Sequence, residues 1–169
     1  MVLEDLKSRL PKRKKAIKSF YDTCLSRKKL IKVENSEFTI HLEKAKHDLQ
    51  RAIKEFEDEC WDWTIIKAYY AIHHAANALL VKKFGFFSKD HICLIISLKH
   101  LELIPDEFYE KLRVIHSKFS DFSAFELVYS LRKISQYNVV KWKYLSKKDA
   151  ESVLEFAKRF VKFVEEQTV

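Results

Sequence analysis

WTIIKAYYAIHHAANALL, residues 63–80, is the stretch that decides the fold. At 100° per residue Ile65, Ala68, Ile72, Ala75 and Leu79 gather on one side, the period with which an amphipathic helix buries a face. Opposite them lie Trp63, Lys67, Tyr70, His74, Asn77 and Val81. That second stripe is too apolar for open solvent and too polar for an ordinary core, so it suits a groove or an interface. Ala68, Ala71, Ala75 and Ala78 leave room for close helix approach. The competing reading of the same residues is therefore tight packing, with the Tyr hydroxyls and His ring nitrogens satisfied locally.

Working outward, Phe38, Leu42, Ala45, Leu49, Ala52, Ile53 and Phe56 recur at three- and four-residue steps, which predicts a helix from Phe38 to about Glu57 and a break at 58–62. The central helix is expected to run from Trp63 to Phe84 and stop at Gly85, the one glycine in the chain. Ser88 and Asp90 sit where caps belong before a helix from His91 to Leu103, and Pro105 with Asp106 opens another that runs to about Phe119. Residues 122–137 are periodic again, and Ser146 with Asp149 reads as the capping box of a last helix, Lys147 to about Gln167. Two short helices, interrupted near Thr23, are expected over 2–33. No alternation with the strand period of two appears. The fold class is all-α: an antiparallel up-down bundle of four to five helices, residues 36–169, with a basic helical N-terminal extension, residues 1–35.

The chain has 169 residues, one Gly and two Pro, so one core and short connections suffice. No apolar run approaches the ~18 residues of a membrane span, and the N-terminus is charged without a signal-peptide core, so a cytoplasmic protein is expected. Cys24, Cys60 and Cys93 are widely spaced with no CxxC pair, and we read them as reduced, inert fillers. Of the net charge of +8, +7 falls on residues 1–35. Lys12, Arg13, Lys14, Lys15, Arg27, Lys28 and Lys29 are the candidate nucleic-acid-binding residues, since clustered cations neutralise phosphates and release counterions. A solvated helix face explains the same cluster without a ligand.

KAYYAIHHAANALL followed by GFFSKDH resembles the prokaryotic branch of the HEPN family, in which a cation precedes AYYA and a Gly and a Lys-x-His element follow. The similarity extends to DLQRAIKEFEDECWDWTIIKAYYA, LRKISQYN and SKKDAESVLEFAKRFVKFVEE, and so covers about 38 to 167. It implies a nucleotide- or RNA-associated protein, expected as a homodimer, encoded as one half of a toxin–antitoxin type pair with a minimal nucleotidyltransferase. Lys67, Tyr70, His74, Asn77 and His91 are then the nucleotide- or partner-binding candidates. The family's ribonucleases use an Arg and, four to six residues on, a His: the Arg neutralises the scissile phosphate and the His moves the proton of the ribose 2′-hydroxyl.

Here Arg132 has Tyr137 and Asn138 after it and no histidine follows His116. These three are the catalytic candidates, but a phenol with a pKa of about 10 is a poor base near neutrality. Arg132 and Tyr137 would also point about 140° apart on one straight helix. Metal-independent RNA cleavage, a non-catalytic nucleotide- or RNA-binding module and a dimeric helical scaffold all remain open. The resemblance implies Tyr137 as the tyrosine such a partner would adenylylate. No cofactor and no metal are expected, since neither a Gly-rich phosphate loop nor an i, i+4 histidine pair is present.

Overall fold

A computed structural model describes residues 10–119 and 143–169. Among them are six α-helices: α1 (Lys14–Ser26), α2 (Phe38–Glu57), α3 (Trp61–Phe84), α4 (His91–His100), α5 (Asp106–Phe119) and α6 (Lys147–Thr168). The all-α reading holds. The periodic stretch at 122–137 lies outside the described residues.

The helix ends follow local chemistry. α2 occupies the expected span. Glu59 takes a left-handed φ of 58° in the turn that folds α3 back along α2, and α3 starts two residues earlier than expected. Gly85 stops α3 with φ 70°. A Cβ there would stand 3.0 Å from Asn35 Oδ1 and 3.3 Å from the Val33 carbonyl, so conformation and space both require glycine. Asp90 caps α4 by accepting from the Cys93 amide, and α4 ends at His100 because Glu102 turns left-handed (φ 56°). The capping box of α6 forms as expected, with Ser146 and Asp149 each accepting from the other's backbone amide.

α3 is the hub: it packs against α2 along its length, against α6, and against α4. Its expected aliphatic side is fully buried, but residues 75–81 are buried all round. Val81 and Asn77 therefore leave the stripe that was expected to face a groove. The reason is that the 35–37 turn and the 86–88 segment pack on the C-terminal half of α3, in addition to α2 and α6 along the helix.

The N-terminal segment differs from expectation in three ways. α1 runs unbroken through Thr23, whose hydroxyl donates to the Ser19 carbonyl one turn back and so is satisfied inside the helix. Residues 31–32 pair antiparallel with 86–87 as a two-residue ribbon (β1, Ile31–Lys32; β2, Phe86–Phe87), continued by the Val33 amide donating to the Gly85 carbonyl. Third, Cys24 and Cys93 are disulfide-bonded, which corrects their reading as reduced fillers; only Cys60 is free. Their separation of 69 residues carries no spacing signal, and it is the packing of α1 on α4 that brings them together. Leu10 and Ile17 join the core, Tyr109 donates to the Pro11 carbonyl and Arg113 to that of Leu10.

Candidate functional site

The exposed side of α3 belongs to its N-terminal half. Trp63 is exposed, Lys67 and Tyr70 are half-buried, and the Lys67 ammonium lies 6.0 Å from the Trp63 ring centre. Tyr70 stacks on His74 at 6.2 Å between centroids. These four share a face because their spacings of four, three and four residues keep them within one side of the helix. From α2, Lys44, His47 and Asp48 come alongside. The Asp48 side chain is buried, with Oδ1 accepting from the Lys44 ammonium and lying 3.4 Å from His47 Nδ1. Its Oδ2 has no hydrogen-bond partner among the described residues, and His74 Nε2 stands 3.8 Å away.

One residue earlier the helix turns a different imidazole the other way. His73 stacks on His91 of α4 at 4.2 Å, and Tyr69 stacks on the same ring at 5.1 Å. The Tyr69 hydroxyl lies 2.8 Å from His91 Nδ1 and 3.0 Å from His116 Nδ1 of α5. A phenol has one proton, so at least one of these rings must donate from Nδ1 to the phenol oxygen. Asn77 closes the cluster. Its amide donates to the Ser88 carbonyl, its oxygen accepts from the Ser88 amide at 2.8 Å, and His73 Nε2 is 3.3 Å away.

Electrostatics separate the two clusters. Burial among other imidazoles holds His73 well below its ordinary value, and burial with His116 nearby depresses His91 to about 4, against a weaker upward pull from Asp90. His74 is lowered by burial, but Asp48 pulls it back. Burial lowers His41, which stands 6.5 Å from His74 between ring centres, against the pull of Glu37. Burial thus disfavours the charged form of all four rings, and a neutral imidazole offers one donor and one acceptor nitrogen rather than positive charge.

Of the sequence candidates, Lys67, Tyr70 and His74 are brought together, whereas Asn77 and His91 belong to the second cluster. Asn77 is 2 % exposed and holds the 88 turn in place, a structural engagement. Lys12, Arg13, Lys14 and Lys15 stand at one end of α1 and Arg27, Lys28 and Lys29 at the other, about 20 Å apart at 1.5 Å per residue. The first group borders a cleft of about 500 Å³ in which Lys12, Lys14 and Lys99 face Glu102, Asp106 and Glu110, so its charges balance. Arg132, Tyr137 and Asn138 lie outside the described residues. Asp48, Tyr69, His73 and His116 were missed as partners, because their contacts join separate helices and only the His73–His74 doublet marks them in the sequence.

Among the described residues no three His, Cys, Asp or Glu side chains are grouped to hold a metal ion, and no helix is long and apolar enough to cross a membrane. The family model for the HEPN domain matches residues 38–167. No curated protein matches the chain.

Proposed function

This chain belongs to the HEPN domain family, and from that premise we propose that it is a cytoplasmic nucleotide- or RNA-associated protein of the prokaryotic AYYA branch, the cleaving or formerly cleaving half of a toxin–antitoxin type pair whose other half is a minimal nucleotidyltransferase. Family membership supports the nucleotide or RNA association. The pairing rests on the resemblance of KAYYAIHHAANALL to that branch. The observation that carries the reading is the face formed by Trp63, Lys67, Tyr70 and His74, where rings that can stack on bases alternate with a cation that can meet phosphate. The same face, with Trp63 48 % exposed, supports a homodimer as the form in solution. Residues 1–35 act as the basic extension and 36–169 as the HEPN-like bundle.

In this reading Arg132 meets the phosphate and Tyr137 with Asn138 stands where the base histidine is missing, so cleavage without metal is slow. The assay is RNA degradation by purified protein in chelator. Tyr137→His should raise the rate, by up to the roughly 10² to 10⁴ that proton transfer contributes, and Arg132→Ala added to it should abolish the gain. Brisk wild-type cleavage indifferent to Arg132→Ala would reject this site. A non-catalytic binding module is the second reading, favoured by the absence of any histidine after His116; in that case Tyr137→His leaves the rate at background while RNA binding persists. Changing Lys12, Arg13, Lys14 and Lys15 to Gln should flatten the salt dependence of that binding.

A further inference from the structure

Between α1 and the start of α4 runs an open groove of about 700 Å³, and both bonded cysteines line it. Its walls carry Phe20 and Ile92, with Arg27 and Lys29 at the rim and one carboxylate, Asp90, 3.9 Å from the Lys29 ammonium. Cys24 is 1 % exposed and Cys93 5 %. The groove is therefore lined by a buried disulfide and by two cations, of which Lys29 is partly spent on Asp90. Arg27, three residues beyond Cys24, pairs with no carboxylate among the described residues.

We propose that Cys24–Cys93 is a thiol-exchange site that takes an anionic low-molecular-weight thiol of the glutathione class, with Arg27 and Lys29 drawing its carboxylates into the groove. The incoming thiolate attacks the Sγ of Cys93, the more exposed residue of the pair. A mixed disulfide forms there as the Cys24–Cys93 bond breaks, and its electron pair leaves on Cys24 as a thiolate beside the Arg27 cation, where a proton from water neutralises it. A second thiolate attacks the external sulfur of the mixed disulfide. The products are the oxidised small thiol and a Cys93 thiolate, which is protonated in turn. No other oxidant or reductant is needed, and the reverse sequence closes the bond.

Opening the bond removes the one covalent tie between α1 and α4. What still holds the segment is non-covalent: Leu10 and Ile17 in the core, the β1–β2 ribbon, the bonds from Tyr109 and Arg113 to the Pro11 and Leu10 carbonyls, and the Ser88 hydroxyl donating to the Lys29 carbonyl. The oxidation state of this pair thus sets how firmly the basic helix is held, and α1 should lose amide protection on reduction while α2 and α3 keep theirs.

The test uses the full chain with Cys60→Ser, so that the remaining thiol chemistry belongs to the pair. Oxidised protein is mixed with reduced glutathione or with uncharged 2-mercaptoethanol at equal thiolate concentration, quenched with acid and read by intact mass and peptide mapping. Glutathione should open the bond roughly tenfold faster than the neutral thiol at low salt, through a mixed disulfide mapped to Cys93, and Arg27→Glu should erase that advantage. Thermal melts of both proteins confirm that they start folded. Equal rates for the two thiols, an adduct only on Cys24, or a bond that opens only when the whole chain unfolds in denaturant would overturn the proposal. So would air-oxidised protein in which both cysteines still react with an alkylating agent.

Discussion

His73 and His74 are neighbours in sequence, yet they enter two different chemical settings. His74 turns toward α2 and meets a buried carboxylate with an oxygen to spare. His73 turns toward α4, stacks on His91 and lies 3.3 Å from the Asn77 amide nitrogen. The difference teaches that a helix separates adjacent side chains by 100°, enough to give one a countercharge and the other none. Asp48 offsets part of the effect of burial on the first ring; the second is lowered by burial and further by His91, His74 and His41.

The largest effect that sharpens this contrast is acid sensitivity. A histidine depressed in the fold binds its proton less readily than it does in the unfolded chain, where the value is about 6.5. Stability is therefore full above about pH 6.5 and is lost as pH falls toward about 4, and His91 alone contributes up to about 3 kcal/mol of that loss. Urea midpoints at pH 7 and pH 4.5 measure it. His91→Asn should flatten the difference far more than His74→Asn does, and equal flattening by both would erase the distinction between the clusters.

Next in size is Asn77→Ala, which leaves the buried amide and carbonyl of Ser88 without their partner. It should cost about 2 kcal/mol, read as a lower unfolding midpoint at unchanged slope. A loss below about 0.5 kcal/mol would mean that the 88 turn is held by other contacts.

The smallest effect concerns the other cluster. Asp48→Asn removes the charge that raises His74, so the His74 ring should titrate at lower pH by NMR than in wild type. The stability change should stay under about 1 kcal/mol, because the ion pair with the half-exposed Lys44 is weak and an Asn oxygen still accepts from it. An unmoved His74 titration would remove the buried carboxylate from any account of this site.

What could be read in advance was whatever is encoded within a turn or two of helix. The span of α2, the stop at Gly85 and the Ser146–Asp149 box rest on neighbouring residues, and all three were legible. The buried side of α3 was legible for the same reason, since its period is local. What lay out of reach depends on how distant segments meet: Cys24 on Cys93, Tyr69 between His91 and His116, and Asn77 on Ser88. The basic segment was legible as charge but not as packing. Leu10 and Ile17, both buried, belong to the core, so deleting the segment that carries them would disturb folding, and exposed charge changes are the sounder probe.

α3 carries its covering obligations across the order of synthesis. α2 precedes it and is ready to pack, but α6 begins at Lys147, about 60 residues after α3 ends. At roughly 5–20 residues per second, the side of α3 that α6 covers waits several seconds to be closed. During that interval the nascent chain displays an apolar helix face that the finished protein never shows.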